Sequence, residues 1–225
     1  MSELPEKTLK IIILGSSEVG KTCILNRYFH NEFKENLLST IGIDFQTKFF
    51  KFDDQKVKAN YIDTAGQEKF RAISVNYLKG TDGVILVFDI TNKETFDLLE
   101  TWLKELKDTN KADVSKVLIG NKSDLAKERQ VTVEDAQQLA DTMKCKYFEA
   151  SAKSGENITE ALDEIARVSY INYTNNELRV DSIVLNKETK GKKKKSCCWF
   201  YKIFFKKIYK FNNNLIIILY FIKYL

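Results

Sequence analysis

Residues Gly15 to Thr22 read Gly-Ser-Ser-Glu-Val-Gly-Lys-Thr and follow directly on the apolar run Leu9 to Leu14. This stretch constrains the chain more than any other. The spacing G-x-x-x-x-G-K-[ST] after such a run predicts a buried strand, a tight loop and then a helix. A glycine at each end lets the backbone curl until successive N–H groups point at one polyphosphate. Those groups come from Gly15, Ser16, Ser17, Glu18, Val19 and Gly20, and continue into Lys21, Thr22 and Cys23. The helix opening at Lys21 adds the positive end of its dipole. Lys21 is placed to reach the terminal phosphates and the Thr22 hydroxyl to hold Mg2+.

The rest of the chain repeats the pattern of apolar run followed by helix-like segment. Val84 to Phe88 and Val117 to Ile119 suit fully buried strands, and each precedes a helical stretch, so the class is α/β with a parallel sheet. Ile43 to Phe52 and Val57 to Ile62 flank the polar turn Asp53-Asp54-Gln55, which predicts a hairpin and one antiparallel edge strand. Lys146 to Glu149 completes a six-stranded, mostly parallel sheet with helices on both faces. Helices are predicted over Lys21 to Phe29, Thr95 to Lys107, Val133 to Met143 and Ile158 to Tyr173, with a less regular one near Phe70 to Leu78. Thr132 and Asp135 resemble a capping box with Asp in place of Glu. The sole proline, Pro5, interrupts none of these. In such a sheet, ligands bind outside the carboxyl ends of the parallel strands.

Charge is distributed unevenly. The whole chain carries +5, but Lys187 to Leu225 holds eleven lysines and one acid, which leaves residues 1 to 186 at −5. A mildly acidic body argues against a nucleic-acid-binding globule, and a basic tail suits anionic lipid. The N-terminus, with Glu3 and Glu6 and no long apolar stretch, does not read as a secretory signal, and the expected compartment is the cytosol. Cys23 and Cys145 lack zinc-site spacing and read as small buried or half-buried thiols in a reducing compartment. His30 is the only histidine, which excludes Ser-His-Asp, Cys-His and multi-histidine metal chemistry.

Three more segments follow strand ends. In Asp63-Thr-Ala-Gly-Gln-Glu68, the Asp63 carboxylate can reach Mg2+ through a water and Gly66 lets its N–H approach a γ-phosphate. The Gln67 amide can orient an attacking water. In Asn121-Lys-Ser-Asp124, the Asp124 carboxylate can accept two hydrogen bonds from N1 and the exocyclic N2 of guanine, a donor pair that adenine does not present. Asn121 would brace that loop, and the Lys122 stem would lie on the purine face. In Ser151-Ala152-Lys153, a backbone N–H can serve guanine O6, with the Lys153 stem near the base. Each segment alone is a common loop; their order behind the phosphate loop selects GTP over ATP.

That order, with Thr40-Ile-Gly-Ile-Asp-Phe45 between the first and second segments, resembles the small GTPases of the Ras superfamily. Ser39 to Phe45 and the near-terminal Cys197-Cys198 resemble the Rab family within it. The resemblance covers about residues 8 to 173, a GTPase domain of 8–174 between a flexible 1–7 and a basic linker of 175–196. It implies GTP and GDP with Mg2+ as ligands, Thr40 as the residue that reaches both Mg2+ and γ-phosphate, and Phe33 as the aromatic edge against guanine. It makes Gln67, Lys21, Gly66 and Thr40 the catalytic set and Thr22, Thr40 and Asp63 the metal set. Effectors would read Ile41, Gly42, Phe45, Ile62 and Tyr77. An exchange factor, a GTPase-activating protein that supplies an arginine, and an escort of the GDI type would regulate it. Three positions depart from the family pattern. Ile62 stands in place of Trp, Leu37 replaces the aromatic that closes over the phosphates, and Glu18 places a carboxylate in the phosphate loop, where it is expected to face solvent.

The implied role is a slowly hydrolysing switch that recruits effectors in vesicle traffic, on the cytoplasmic face of an intracellular membrane and cycling with the cytosol. A non-catalytic nucleotide-holding scaffold and another phosphate-loop enzyme, such as a nucleoside kinase, are the alternatives; the Asn121 to Asp124 segment speaks against the latter. In the family a terminal Cys pair receives two geranylgeranyl chains, but here 27 residues follow Cys198. If helical, Trp199 to Leu225 places Lys202, Lys206, Lys207 and Lys210 on one face, as in an interfacial anchor. The apolar stretch Leu215 to Ile222 is too short for the roughly 20 residues of a membrane span. Alternatively the frame runs past its natural stop. The tail uses only Trp, Phe, Tyr, Lys, Ile, Asn and Leu, all but Trp with codons made wholly of A and T, and the Trp codon is one base from a stop. This second reading is favoured. Lys192 to Lys195 add attraction to an anionic leaflet in either case.

Overall fold

A computed structural model describes residues 7–34, 43–52, 54–64, 78–109 and 114–188. The chain divides into two compact units, Met1–Glu177 and Leu178–Leu225. The six strands among the described residues lie in the first: β1 Lys7–Leu14, β2 Ile43–Phe52, β3 Gln55–Thr64, β4 Gly83–Asp89, β5 Ser115–Asn121 and β6 Lys146–Glu149. The helices are α1 Lys21–His30, α2 Lys93–Asp97, α3 Leu99–Thr109, α4 Val133–Thr142 and α5 Ile158–Glu188, with a 3-10 turn at Ser123–Glu128.

The sheet runs β2-β3-β1-β4-β5-β6. Every pairing is parallel except β2 with β3, where Ile43 faces Thr64 and Phe52 faces Gln55. The hairpin is therefore the expected antiparallel edge, and Asp54 in its turn takes the left-handed φ of +65° that Asp tolerates. Because side chains alternate along a strand, each face of the sheet builds its own core. Leu9, Ile11, Ile13, Ala59 and Ile85 pack under Ile24 and Leu25 of α1 and Leu162, Ile165 and Ala166 of α5. Ile12, Leu14, Ile62, Leu86 and Leu118 pack under α3 and α4. α3 contributes Leu99, Trp102 and Leu106, a three-then-four spacing that keeps one stripe on the sheet.

Three details depart from the sequence expectation. The helix predicted over Thr95 to Lys107 begins earlier, at Lys93, where the Asn92 side chain accepts the Glu94 N–H at 3.0 Å. It also breaks at Leu98, where Thr101 N–H turns to the Leu98 carbonyl at 3.1 Å instead of keeping the four-residue ladder. α5 does not stop at Tyr173 but runs to Glu188, since no Gly or Pro occurs before Gly191 to end it. Thr132 caps α4 as expected, its hydroxyl accepting the Asp135 N–H at 3.0 Å. The irregular helix near Phe70 to Leu78 lies outside the described residues except for its last position.

Candidate nucleotide site

The carboxyl ends of β1, β3, β4, β5 and β6 all open at one edge of the sheet, and the loops that leave β1, β4, β5 and β6 converge there. β1 is the strand from which the chain steps first to one side and then to the other, the position at which a crevice forms between diverging connections.

The loop after β1 is shaped by two glycines that nothing else could replace. Gly15 has φ +151° and a Cβ there would lie 2.3 Å from the Val87 carbonyl oxygen. Gly20 has φ +91° and a Cβ there would lie 2.4 Å from Asn121 Nδ2. Gly20 then serves as the N-cap of α1 without any side-chain cap, and the first turn of the helix carries no acid. The first turn thus keeps its positive end for a ligand, unlike the capped α2 and α4. Glu18 in the same loop is exposed, as expected of a carboxylate that must avoid phosphate. Lys21 is only 5% exposed and its ammonium donates to the carbonyls of Gly15 at 2.9 Å and Ser16 at 2.7 Å, so it spans the loop it belongs to. Burial pushes its pKa down to about 8, and the nearby Asp63 opposes this only in part. A buried cation in this position gains from an anionic ligand what it lost in hydration.

Thr22 and Asp63 meet across the sheet edge, the hydroxyl donating to the carboxylate at 2.6 Å. Asp63 is 3% exposed near the end of β3. One hydroxyl and one carboxylate beside the phosphate loop are hard oxygen donors of the kind Mg2+ takes, with phosphate oxygens and water completing its shell. The donor set therefore fits the ion.

Asn121 joins the two halves of the site. Its Nδ2 donates to the Val19 carbonyl at 2.7 Å, and its Oδ1 accepts the Ala152 N–H at 3.1 Å, with the side chain 2% exposed. From sequence Asn121 is expected to brace its own loop; its amide instead reaches both the phosphate loop and the Ser-Ala-Lys loop. Ser151 Oγ donates to Asp124 Oδ1 at 2.6 Å and so orients that carboxylate. Glu18, Gly20, Cys23, Phe33, Lys34, Asn121, Lys122, Asp124, Leu125, Ala152 and Lys153 together line a cavity of about 270 Å3. Residues from three distant segments are thereby brought to one pocket. The Cys23 thiol is raised by burial, which Lys122 partly offsets, so it is a wall and not a nucleophile.

Two supporting residues escaped the sequence reading. Asp89, at the end of β4, takes the Lys122 ammonium at 2.6 Å and so ties back the head of a side chain whose stem borders the cavity. Arg27 of α1 donates to the carbonyls of Ala152 at 2.9 Å and Lys153 at 2.8 Å and holds the last loop from behind. An acid closing an otherwise apolar strand was the available signal for Asp89; Arg27 had none. Ile62, expected among the residues that effectors read, is 2% exposed and belongs to the core under the sheet, because its branched chain packs with Ile12 and Val84. Thr40, Ile41, Gly42, Gly66, Gln67, Tyr77, Leu37 and the Cys197-Cys198 pair lie outside the described residues.

A family model described as the Ras family matches residues 10–170. Ras-related protein Rab-8B of Bos taurus is 40% identical over 167 residues, 74% of this chain and 81% of that protein. GTP-binding protein ypt2 of Schizosaccharomyces pombe is 41% identical over 159 residues, 71% of this chain and 80% of that one. Ras-related protein RABA5c of Arabidopsis thaliana is 42% identical over 177 residues, 79% and 83% of the two chains. With the sheet order, the glycine-bounded loop and the Asn121 brace in place, these matches settle the family: the chain belongs to the Ras family and, within it, to the Rab small GTPases, which bind guanine nucleotide, hydrolyse GTP and act in vesicle traffic.

Proposed function

We propose that this GTPase reads guanine through Asp124, holds Mg2+ through Thr22, Asp63 and Thr40, and switches between effector-binding and released states at one membrane. The observation that carries the reading is the convergence on one 270 Å3 cavity of Asp124, oriented by Ser151, with Phe33 and the stems of Lys122 and Lys153. A carboxylate there accepts from N1 and N2 of guanine, and the apolar stems cover the ring faces. The Ala152 N–H is taken by Asn121 Oδ1, so another backbone N–H of the Ser151-Ala152-Lys153 loop would serve O6.

Hydrolysis on this scaffold is mainly positioning and charge neutralisation. The backbone N–H groups of residues 15–23 and the Lys21 ammonium cradle the β- and γ-phosphates. Mg2+ supplies further charge stabilisation when bound. Gln67 orients water in line with the γ-phosphate, and Gly66 and Thr40 respond to that phosphate by ordering around it. Lys21 and the positive end of the α1 dipole are cationic in effect, but no cis arginine resembles that of heterotrimeric α subunits, so turnover is slow alone. An arginine from an activating protein raises it by roughly 10^3 to 10^5. Membrane attachment uses Cys197 and Cys198, if these end the mature chain, together with Lys192 to Lys195. Among the described residues no helix is long and apolar enough to cross a membrane.

Single-turnover hydrolysis of GTP by Gln67→Leu, with and without a catalytic activating domain, tests this mechanism. Loss of stimulated hydrolysis with retained nucleotide supports it; unchanged hydrolysis removes Gln67 from the role. Mass spectrometry of the C-terminal peptide tests the attachment: a lipidated Cys198 end supports it, and an intact Leu225 overturns the read-through reading.

A further inference from the structure

Arg27 does more than back the Ser151-Ala152-Lys153 loop. Its guanidinium makes four hydrogen bonds. Nε donates to the Ala152 carbonyl at 2.9 Å and Nη2 to the Lys153 carbonyl at 2.8 Å, while Nη1 donates to the Asn31 carbonyl at 3.0 Å and to Asn31 Oδ1 at 2.9 Å. Asn31 is only four positions on in the chain, whereas the two loop carbonyls are 125 and 126 positions away. One planar group thus joins the end of α1 to the loop after β6.

Both ends of that join continue into walls of one cavity. Asn31 closes α1 in the left-handed conformation, φ +55°, and its own N–H returns to the Arg27 carbonyl at 3.0 Å. The turn so fixed leads directly to Phe33 and Lys34. Phe33, Lys34, Ala152 and Lys153 all line the cavity to which Asp124 belongs. The Arg27 stem is seated as well as its head, since a Cβ on Gly155 of the same loop would lie 3.5 Å from Arg27 Cδ.

All four acceptors are neutral: three carbonyls and one amide oxygen. They call for donors fixed in one plane, which a guanidinium offers and an ammonium on a flexible stem does not. None of the four bonds reaches the phosphate loop or the Thr22–Asp63 pair, so the hold that Arg27 exerts is separate from that of phosphate and metal.

Resting on the guanine reading above, we propose that Arg27 is a positioning residue for the base. Its fork sets the spacing between the Phe33 wall and the Ala152 wall, and guanine leaves when the fork opens. A helix cap alone would act differently: it would strengthen α1 and leave the two walls uncoupled.

The test loads the full chain with a fluorescent GDP and chases it with excess unlabelled GDP, in magnesium and in EDTA. Arg27→Met keeps the stem and removes the donors, and release is expected to accelerate at least tenfold in either condition, because independent contributions multiply. Arg27→Lys keeps the charge without the fork and is expected to release within threefold of the Met variant. Asn31→Gly keeps the left-handed turn and removes only Oδ1. It is expected to speed release about threefold in the wild-type background and to change nothing in Arg27→Met or Arg27→Lys, where the fork is already lost. The Lys background carries this comparison if the Met variant fails to fold. Wild-type release from Arg27→Lys, an acceleration that vanishes in EDTA, or an Asn31→Gly effect that is absent everywhere or equal in all backgrounds would overturn the proposal. Nucleotide content read in the same samples separates two failures. Wild type that retains GDP, with variants that release it equally slowly, defeats this inference alone; wild type that holds no guanine nucleotide defeats the guanine reading beneath it.

Discussion

Replacing Asn121 with alanine removes two buried hydrogen bonds at once, to the Val19 carbonyl at 2.7 Å and from the Ala152 N–H at 3.1 Å. Val19 and Ala152 are 0% and 3% exposed, so neither orphaned backbone group can turn to bulk water. An unsatisfied buried group costs about 1–3 kcal/mol, which makes about 2–6 kcal/mol for the pair. That is a large share of the 5–15 kcal/mol typical of a whole domain. Because the two groups belong to different walls of the pocket, the loss is felt by a nucleotide that needs both. If only about 2 kcal/mol reaches the bound state, release accelerates roughly 30-fold. Displacement of a fluorescent GDP by excess unlabelled GDP measures the rate, and urea unfolding of the same protein measures the stability. Asn121→Asp keeps an acceptor for Ala152 but turns an anionic oxygen toward Val19, so its release should be at least as fast as that of the alanine variant. A stability loss of 2 kcal/mol or more with GDP release within threefold of wild type would refute the reasoning, since Asn121 would then brace the fold and not the site.

Gly20→Ala puts a Cβ 2.4 Å from Asn121 Nδ2 at φ +91°, so it should abolish nucleotide retention in size-exclusion fractions, while Gly80→Ala, strained at φ +71° but with a Cβ that meets nothing within 4 Å, should cost stability and keep the nucleotide. Lys21 titrates at about 8 in the fold against 10.5 ordinarily, so the unfolded chain binds more protons between those values. Stability of nucleotide-stripped protein should therefore rise with pH across that window, by on the order of 3 kcal/mol, and urea midpoints of Lys21→Met should lack the rise. Ser151→Ala frees the Asp124 carboxylate and should weaken GDP binding by about tenfold, seen by calorimetry, without unfolding the domain. Burial raises the Cys145 thiol to about 11, so at pH 8 it should react with a thiol reagent far more slowly than a free cysteine.

The phosphate loop was legible because its residue types answer to local geometry: a glycine where φ is +91°, and a lysine directly after it that reaches back to the Ser16 carbonyl. The alternation of buried runs likewise marked the strands, and the polar turn marked the antiparallel hairpin. What could not be read were contacts between residues far apart in sequence. Arg27 reaches carbonyls 125 and 126 positions away, and no pattern around it announces them. Asp89 holds Lys122 across two neighbouring strand ends, a pairing that exists only once β4 lies beside β5. The break at Leu98 was hidden because its apolar stripe continues through it, and periodicity registers the stripe and not the hydrogen-bond ladder. Ile62 was placed by analogy of position, whereas its exposure depends on how its side chain packs.

Guanine selection by Asp124 is tested most directly by calorimetry of nucleotide-stripped protein with GDP, ADP and XDP in the presence of magnesium, for wild type and Asp124→Asn. Wild type should bind GDP at least roughly 100-fold more tightly than ADP, since two hydrogen bonds to a charged group are each worth about 1.5–3 kcal/mol. Asp124→Asn carries amide donors in place of the second carboxylate oxygen and should move the preference toward XDP, whose C2 bears a carbonyl. Equal affinity of the wild-type protein for GDP and ADP, or an unchanged preference in the variant, would contradict it.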